Sequence, residues 1–308
     1  VIKPHKILYV AKHNSGGNDD EGSILNALRS LGHHVQVMTE DSASRRAPAM
    51  SSQYDFVLCH KWHDLNAAVN LNCPMVFWYF DLVVQTGDDD SLKRRNRMRS
   101  LWMHNMTDLC AVGFVTDGNA VLSDATGKLI KLPQGADQRV VGMDDKQERF
   151  DLLFTGIATG AGKARASFVE ELVEVYGDRF THVPAGVYGR DLRRQISRHR
   201  IVVCPDSPVY PDYCSNRVYN ALGFGAFVLH PRCAYLELEY ENMKDIVFYH
   251  DRQHLHYLIN YFLPREEERR AIAKSGMEAT INNYTYRHRV AKLMEVVNSK
   301  LVKEVQVD

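Results

Sequence analysis

Pro211-Asp212-Tyr213-Cys214-Ser215-Asn216-Arg217-Val218-Tyr219-Asn220-Ala221-Leu222-Gly223-Phe224-Gly225-Ala226-Phe227 decides how this chain is read. Prolines 205, 208 and 211 keep the chain irregular after the apolar run 201–204, which reads as a buried strand. Ser215 stands where an N-cap is expected, and the helix it opens runs to about Leu222. Gly223 and Gly225 close that helix before a further strand at 226–230. Helical spacing puts Asn216, Asn220 and Gly223 on one face. The start of such a helix offers unpaired backbone N–H groups and a partial positive charge, which suits a diphosphate. Arg217 either adds a charged fork for phosphate oxygens or lies solvated on a helix that simply packs on a sheet.

Outward from this stretch, short apolar runs alternate with helix-like segments. Residues 7–10, 35–38, 55–59, 75–80 and 110–115 read as strands, and 21–31 as a helix stopped by Gly32. A second series has strands at 152–155, 201–204 and 226–230 and a helix at 166–176, with mainly helix beyond Asp251. Such alternation predicts two parallel sheets covered by helices, an α/β architecture of two Rossmann-like, doubly wound domains. The turn-rich 132–137 and the charged 144–150 place the boundary near 147. The domains expected are thus 1–147 and 148–285, with 286–308 a helix packing back across both.

The 211–227 stretch resembles the donor-site motif of retaining glycosyltransferases of the GT-B fold, and more narrowly a CgeB-like group named after a spore-maturation protein. Phe114-Val115-Thr116-Asp117-Gly118, Leu132-Pro133-Gln134-Gly135-Ala136-Asp137 and Tyr284-Thr285-Tyr286-Arg287-His288-Arg289 fit the same group in the same order. The resemblance implies two domains facing a cleft and a nucleotide diphosphate sugar, UDP-sugar above others, as donor substrate. It also implies front-side transfer with retention and no required cofactor. It makes Asp212 the contact to the donor sugar and position 220 the contact to the ribose. The family has Glu at that second position; Asn220 keeps hydrogen bonding but not the charge.

Other segments supply further candidates. The loop Thr155-Gly156-Ile157-Ala158-Thr159-Gly160-Ala161-Gly162-Lys163-Ala164-Arg165 resembles the first strand–loop–helix turn of a donor domain. Gly156 permits close phosphate approach, and Lys163 or Arg165 can neutralise a leaving diphosphate. It is not a Walker A loop, and no G-x-G-x-x-G follows the first strand, which disfavours a dinucleotide-dependent oxidoreductase. In Pro184-Ala185-Gly186-Val187-Tyr188-Gly189, Val187 and Tyr188 are candidates for packing on the nucleobase, against an ordinary turn that leads a helix. Asp81, just after the strand 75–80, either orients or deprotonates the acceptor hydroxyl, or caps a turn. His60 and Asp117 are weaker candidates at similar strand ends. Asp88-Asp89-Asp90 has the residue types of a D-x-D metal site, yet its place before Ser91 fits a helix start better. No metal site is expected.

Composition sets the remaining bounds. The 308 residues are 45% hydrophobic and 25% charged, with 38 basic and 38 acidic side chains, so net charge alone points to no nucleic acid or membrane surface. Two basic runs, 93–99 and 190–200, read as solvated helix faces or as contacts to an anionic acceptor such as DNA carrying a modified base. The six scattered cysteines contain no C-x-x-C pair, and no run is long enough to span a bilayer, so a reducing, cytoplasmic setting is expected. A sugar-nucleotide epimerase or hydrolase, and a non-catalytic sugar-nucleotide sensor, are the alternatives to a transferase.

Overall fold

The computed structural model describes residues 3–13, 19–85, 90–144, 147–158, 165–184, 186–205 and 210–304. In chain order the first part contains β1 (Lys6–Ala11), α1 (Asp20–Ser30), β2 (His34–Thr39), α2 (Glu40–Met50), β3 (Phe56–Cys59) and α3 (Leu65–Val69). It continues with β4 (Met75–Tyr79), α4 (Asp90–Leu109), β5 (Val112–Val115), α5 (Gly118–Leu122) and β6 (Leu129–Lys131). The six strands form one parallel sheet in the order β2-β1-β3-β4-β5-β6. Strands β1, β3, β4 and β5 are apolar on both faces because helices cover both sides of the sheet. Trp78 and Phe114 point to one core, and Phe77 and Val115 to the other.

The second part contains β7 (Phe150–Thr155), α6 (Ala166–Tyr176), β8 (Phe180–Val183), α7 (Gly189–Ser197), β9 (His199–Val203) and α8 (Asn216–Gly223). Then follow β10 (Val228–Pro231), α9 (Leu236–Glu239), β11 (Val247–Tyr249), α10 (Arg252–Phe262) and α11 (Glu266–Asn283). Its sheet is also parallel, in the order β11-β10-β9-β7-β8. The last helix, α12 (Tyr286–Glu304), packs on α1. Its Tyr286, Val290, Leu293, Met294 and Val297 form one fully buried stripe at helical spacing. Each such side chain contributes roughly 1.5–3 kcal/mol by leaving water.

Every strand expected from the apolar runs is present, together with β6, β8 and β11. The compact units are 1–134 with 286–308, and 135–285. The first boundary therefore lies at 134/135, ahead of the charged stretch near 147. The reason is local. Gly142 donates its N–H to the Gly223 carbonyl at 2.8 Å, and Arg193 pairs with Asp144 at 2.8 Å. A Cβ on Gly223 would meet Ala136 and Val141, and one on Gly225 would meet Met143, so residues 135–144 lie over the end of α8. No disulfide and no helix long and apolar enough to cross a membrane occurs among the described residues.

Candidate functional site

In the second sheet β8 lies on one side of β7 and β9 on the other. The connections leaving β7 and β9 therefore diverge at their carboxyl ends, the place where open α/β sheets bind ligands. One side chain ties the two connections together. Arg217, in the first turn of α8, donates from Nε to the Thr155 carbonyl at 2.7 Å and from Nη1 to Ser215 Oγ at 3.1 Å. Its guanidinium also lies 5.5 Å from the Phe154 ring centroid. Gly156 makes this approach feasible: its φ is +140°, and a Cβ there would sit 2.9 Å from Arg217 Nη2. The arginine is thus neither simply solvated nor reserved for a ligand; it is fixed at the sheet edge by backbone. His182 completes the arrangement, stacking on Phe154 at 5.2 Å and bonding the Gly156 carbonyl through Nε2 at 2.8 Å.

Asp212 occupies the third position of a tight turn, Tyr210-Pro211-Asp212-Tyr213, whose ends pair as an isolated bridge. Proline at the second position suits such a turn. The turn is pinned from outside: Tyr235 N–H donates to the Pro211 carbonyl at 3.0 Å, and the buried Cys233 thiol faces the Pro211 carbonyl at 3.4 Å. Asp212 is half-buried there. Ser215 takes the N-cap position with extended backbone but makes no side-chain cap bond, because its hydroxyl accepts from Arg217 instead. Asn216 is the half-buried first residue of α8.

The far end of α8 closes as its glycines suggest. Gly225 has φ +74°, its N–H reaches the Leu222 carbonyl, and Ala226 N–H reaches the Ala221 carbonyl, a Schellman pair. Asn220 Oδ1 accepts the backbone N–H of Asp137 at 3.2 Å. The Asp137 carboxylate is itself held by Arg139 in a two-pronged pair, at 2.8 and 2.7 Å. A carboxylate therefore stands beside Asn220, on a neighbouring segment.

The remaining donor-side candidates are more open. Arg165 is at the N-cap position of α6 without a side-chain cap bond, and Lys163 lies outside the described residues. Val187 is half-buried against the core. Tyr188 is the N-cap residue of α7, with 53% of its surface exposed, so its ring is open to a planar ligand.

In the first unit, Asp81 follows β4 and pairs with Lys61 at 2.5 Å. Both side chains are more than a third exposed, so the pair is reachable from solvent. His60 is buried, bonded to Tyr9 Oη at 2.6 Å and to the Trp78 carbonyl at 2.7 Å. Burial holds its pKa down at about 4, so it stays neutral and ties β1, β3 and β4 together. Asp117 is likewise structural, capping α5 through Asn119 N–H at 3.1 Å and accepting Val83 N–H at 3.0 Å. Asp88 and Asp89 lie outside the described residues, and Asp90 begins α4. The two basic runs differ. In 190–200, Arg193, Arg194 and Arg200 pair with Asp144, Asp191 and Asp151. In 93–99, Lys93, Arg94 and Arg97 of α4 are exposed.

Solved structures have the same pair of sheets. HepE of Anabaena, described in complex with UDP and glucose, covers 96% of this chain and all of its own, with a TM-score of 0.69 at 10% identity. Sucrose-phosphate synthase from Thermosynechococcus elongatus covers 97% and all of its own, with a TM-score of 0.69 at 13% identity. A glycosyltransferase from Rickettsia africae covers 97% and 99%, with a TM-score of 0.62 at 11% identity. The fold is GT-B. At these identities the likeness carries the architecture, and the GT-B fold by itself names no substrate. A family model described as glycosyl transferase-like matches residues 163–295, which takes in α6 through the first half of α12. No curated protein sequence matches the chain. Sequence reasoning missed the Thr155 carbonyl, Phe154, His182, Asp137 and Lys61 as partners of the candidates. Asp137 and Thr155 left a trace, as the end of the 132–137 turn and the start of the 155–165 loop.

Proposed function

We propose that the protein is a glycosyltransferase that moves a sugar from a nucleoside diphosphate sugar, a UDP-sugar above others, to a hydroxyl acceptor with retention. The observation that supports this most is the Arg217 link to the end of β7. It brings a permanent cation, the Gly156 loop and the first N–H groups of α8 to the switch point of one sheet. A departing diphosphate needs that combination. The glycosyl transferase-like family match and the UDP described in the HepE structure support the same reading.

In this reading Arg217, Arg165 and Lys163 neutralise the diphosphate, and Ser215 and Asn216 bring the α8 N-terminus to its oxygens. Tyr188 and Val187 pack on the base, Asn220 bonds the ribose, and Asp212 touches the sugar. The anomeric C–O bond to phosphate breaks while a bond to the acceptor oxygen forms on the same face. The acceptor proton passes to the departing phosphate oxygen, so no protein base or metal ion is required. Asp81, with Lys61, is assigned to the acceptor hydroxyl. The exposed cations of α4 suit an anionic acceptor, which makes hydroxymethylated DNA the first acceptor to compare with neutral glycans and small alcohols.

The test is transfer from labelled UDP-sugars to that acceptor panel, with product configuration read by NMR. Labelled acceptor carrying an α-linked sugar from an α-donor is the expected result. Free sugar formed regardless of acceptor makes the protein a hydrolase. An inverted product overturns retention.

A further inference from the structure

We propose that the amino-terminal edge of the first sheet carries an oxyanion-binding site, suited to the phosphoryl group of a small phosphorylated molecule. An open depression of about 590 Å³ lies there, at the starts of β1 and β2, lined by Val35 and by the side chains of Lys6, Arg29, His33, His34, Gln36 and Tyr54. Apart from Val35 each of these side chains can donate a hydrogen bond, and none is a carboxylate. It lies at the opposite edge of that sheet from His60 and Asp81, so nothing assigned above uses it.

His33 is the buried member of this lining. The His5 backbone N–H donates to His33 Nδ1 at 3.2 Å, which places the proton of the neutral ring on Nε2. That Nε2 is buried and has no partner among the described residues, while His33 as a whole is 4% exposed. Buried N–H donors are rarely left unmet, and this one belongs to a side chain that lines the cavity. Burial and the neighbouring His5 hold the ring below the ordinary histidine pKa, so it acts as a neutral donor.

Charge comes from the rim. Lys6 and Arg29 are both exposed, and Arg29 is anchored by a bond from Nη2 to the Val35 carbonyl at 3.2 Å. Lys6 of β1 and Arg29 of α1 stand beside the edge strand β2, where charge also discourages unwanted pairing, but that role does not call for a buried imidazole donor. Asp55 is the carboxylate beside the site. Its Oδ2 accepts the Lys6 backbone N–H at 2.8 Å and lies 3.3 Å from His5 Nδ1, which ties it to β1.

The test is a titration of the full chain, ring-labelled at histidine, with inorganic phosphate against chloride at matched ionic strength and neutral pH. The His33 resonance, assigned by its loss in His33→Gln, is expected to shift saturably. In Lys6→Gln/Arg29→Gln, whose sites are exposed and whose chloride spectrum reports the fold, affinity is expected to fall roughly tenfold or more. No saturable shift, or an unchanged one in the double variant, overturns the site. A short DNA duplex forms the second arm: a shift with duplex and none with phosphate overturns the small-molecule assignment.

Discussion

Replacing Gly156 by alanine sets a new Cβ against the Arg217 guanidinium, 2.9 Å from Nη2, 3.1 Å from Nε and 3.3 Å from Cζ. The backbone contributes one cost: φ is +140°, and holding an L-residue in such a region costs roughly 1–3 kcal/mol. The guanidinium contributes another. It must move, and the 2.7 Å bond to the Thr155 carbonyl lengthens or breaks, which is worth about 1.5–3 kcal/mol for a charged donor. Because the arginine can reorient, the expected loss lies toward the lower end of the combined range, about 3 kcal/mol. The two costs separate in a double-mutant cycle. In an Arg217→Ala background the contact with the guanidinium is gone, and the backbone cost remains. Urea unfolding of Gly156→Ala, Arg217→Ala and the double variant is therefore expected to show a coupling of at least about 1 kcal/mol. Additive costs, within about 0.5 kcal/mol, would refute the claim that Gly156 is glycine on account of Arg217.

Four other outcomes follow from the geometry. Asn220→Glu is expected to preserve the fold and keep or strengthen UDP binding; a large loss in calorimetry would mean that the ribose contact lies elsewhere, Asp137 being the neighbouring carboxylate. His60 has a folded pKa of about 4 against an unfolded value near 6.5, so the unfolded state takes up the proton first and stability falls as pH drops through that window. The loss is about 2 kcal/mol by pH 5, and Asn at 60 is expected to remove that share of it in urea unfolding at pH 7 and 5. Gly276→Ala is expected to cost roughly 3 kcal/mol, because its Cβ would lie 2.1 Å from the Asp245 carbonyl oxygen, just before β11, and 3.0 Å from Leu222 of α8; an unchanged melting temperature would contradict that packing. Asp81→Asn is expected to lower turnover by about a hundredfold, the cost of a misplaced acceptor oxygen, while leaving the UDP Kd unchanged, as a group that positions only the acceptor should.

Strands buried on both faces were legible because they are near-continuous apolar runs: 7–10, 75–80 and 201–204 each became a strand. The short strands β6, β8 and β11 carry too little pattern to stand out, as Leu129-Ile130-Lys131 shows. The domain boundary was misplaced because charge at 144–150 resembles a linker, whereas Gly142 and Asp144 are bound to the second unit. The N-cap at Ser215 located the α8 N-terminus, and motif order singled out Asp212 and Asn220 as candidates. Partnerships were not legible. The Arg217 bond to Thr155 spans 62 residues and ends on a carbonyl, which no side-chain pattern encodes. The Asp81 pair with Lys61 and the ion pairs that occupy run 190–200 are likewise products of tertiary packing.

The account rests on a diphosphate site at the end of β7, closed by Arg217. Calorimetric titration of UDP into the wild-type protein and Arg217→Ala tests it most directly. The wild type is expected to bind, and the variant to bind about 10- to 100-fold more weakly, the share of one charged hydrogen-bonding partner. Equal affinity in the two proteins, or no binding of UDP or any other nucleoside diphosphate by the wild type, would contradict it.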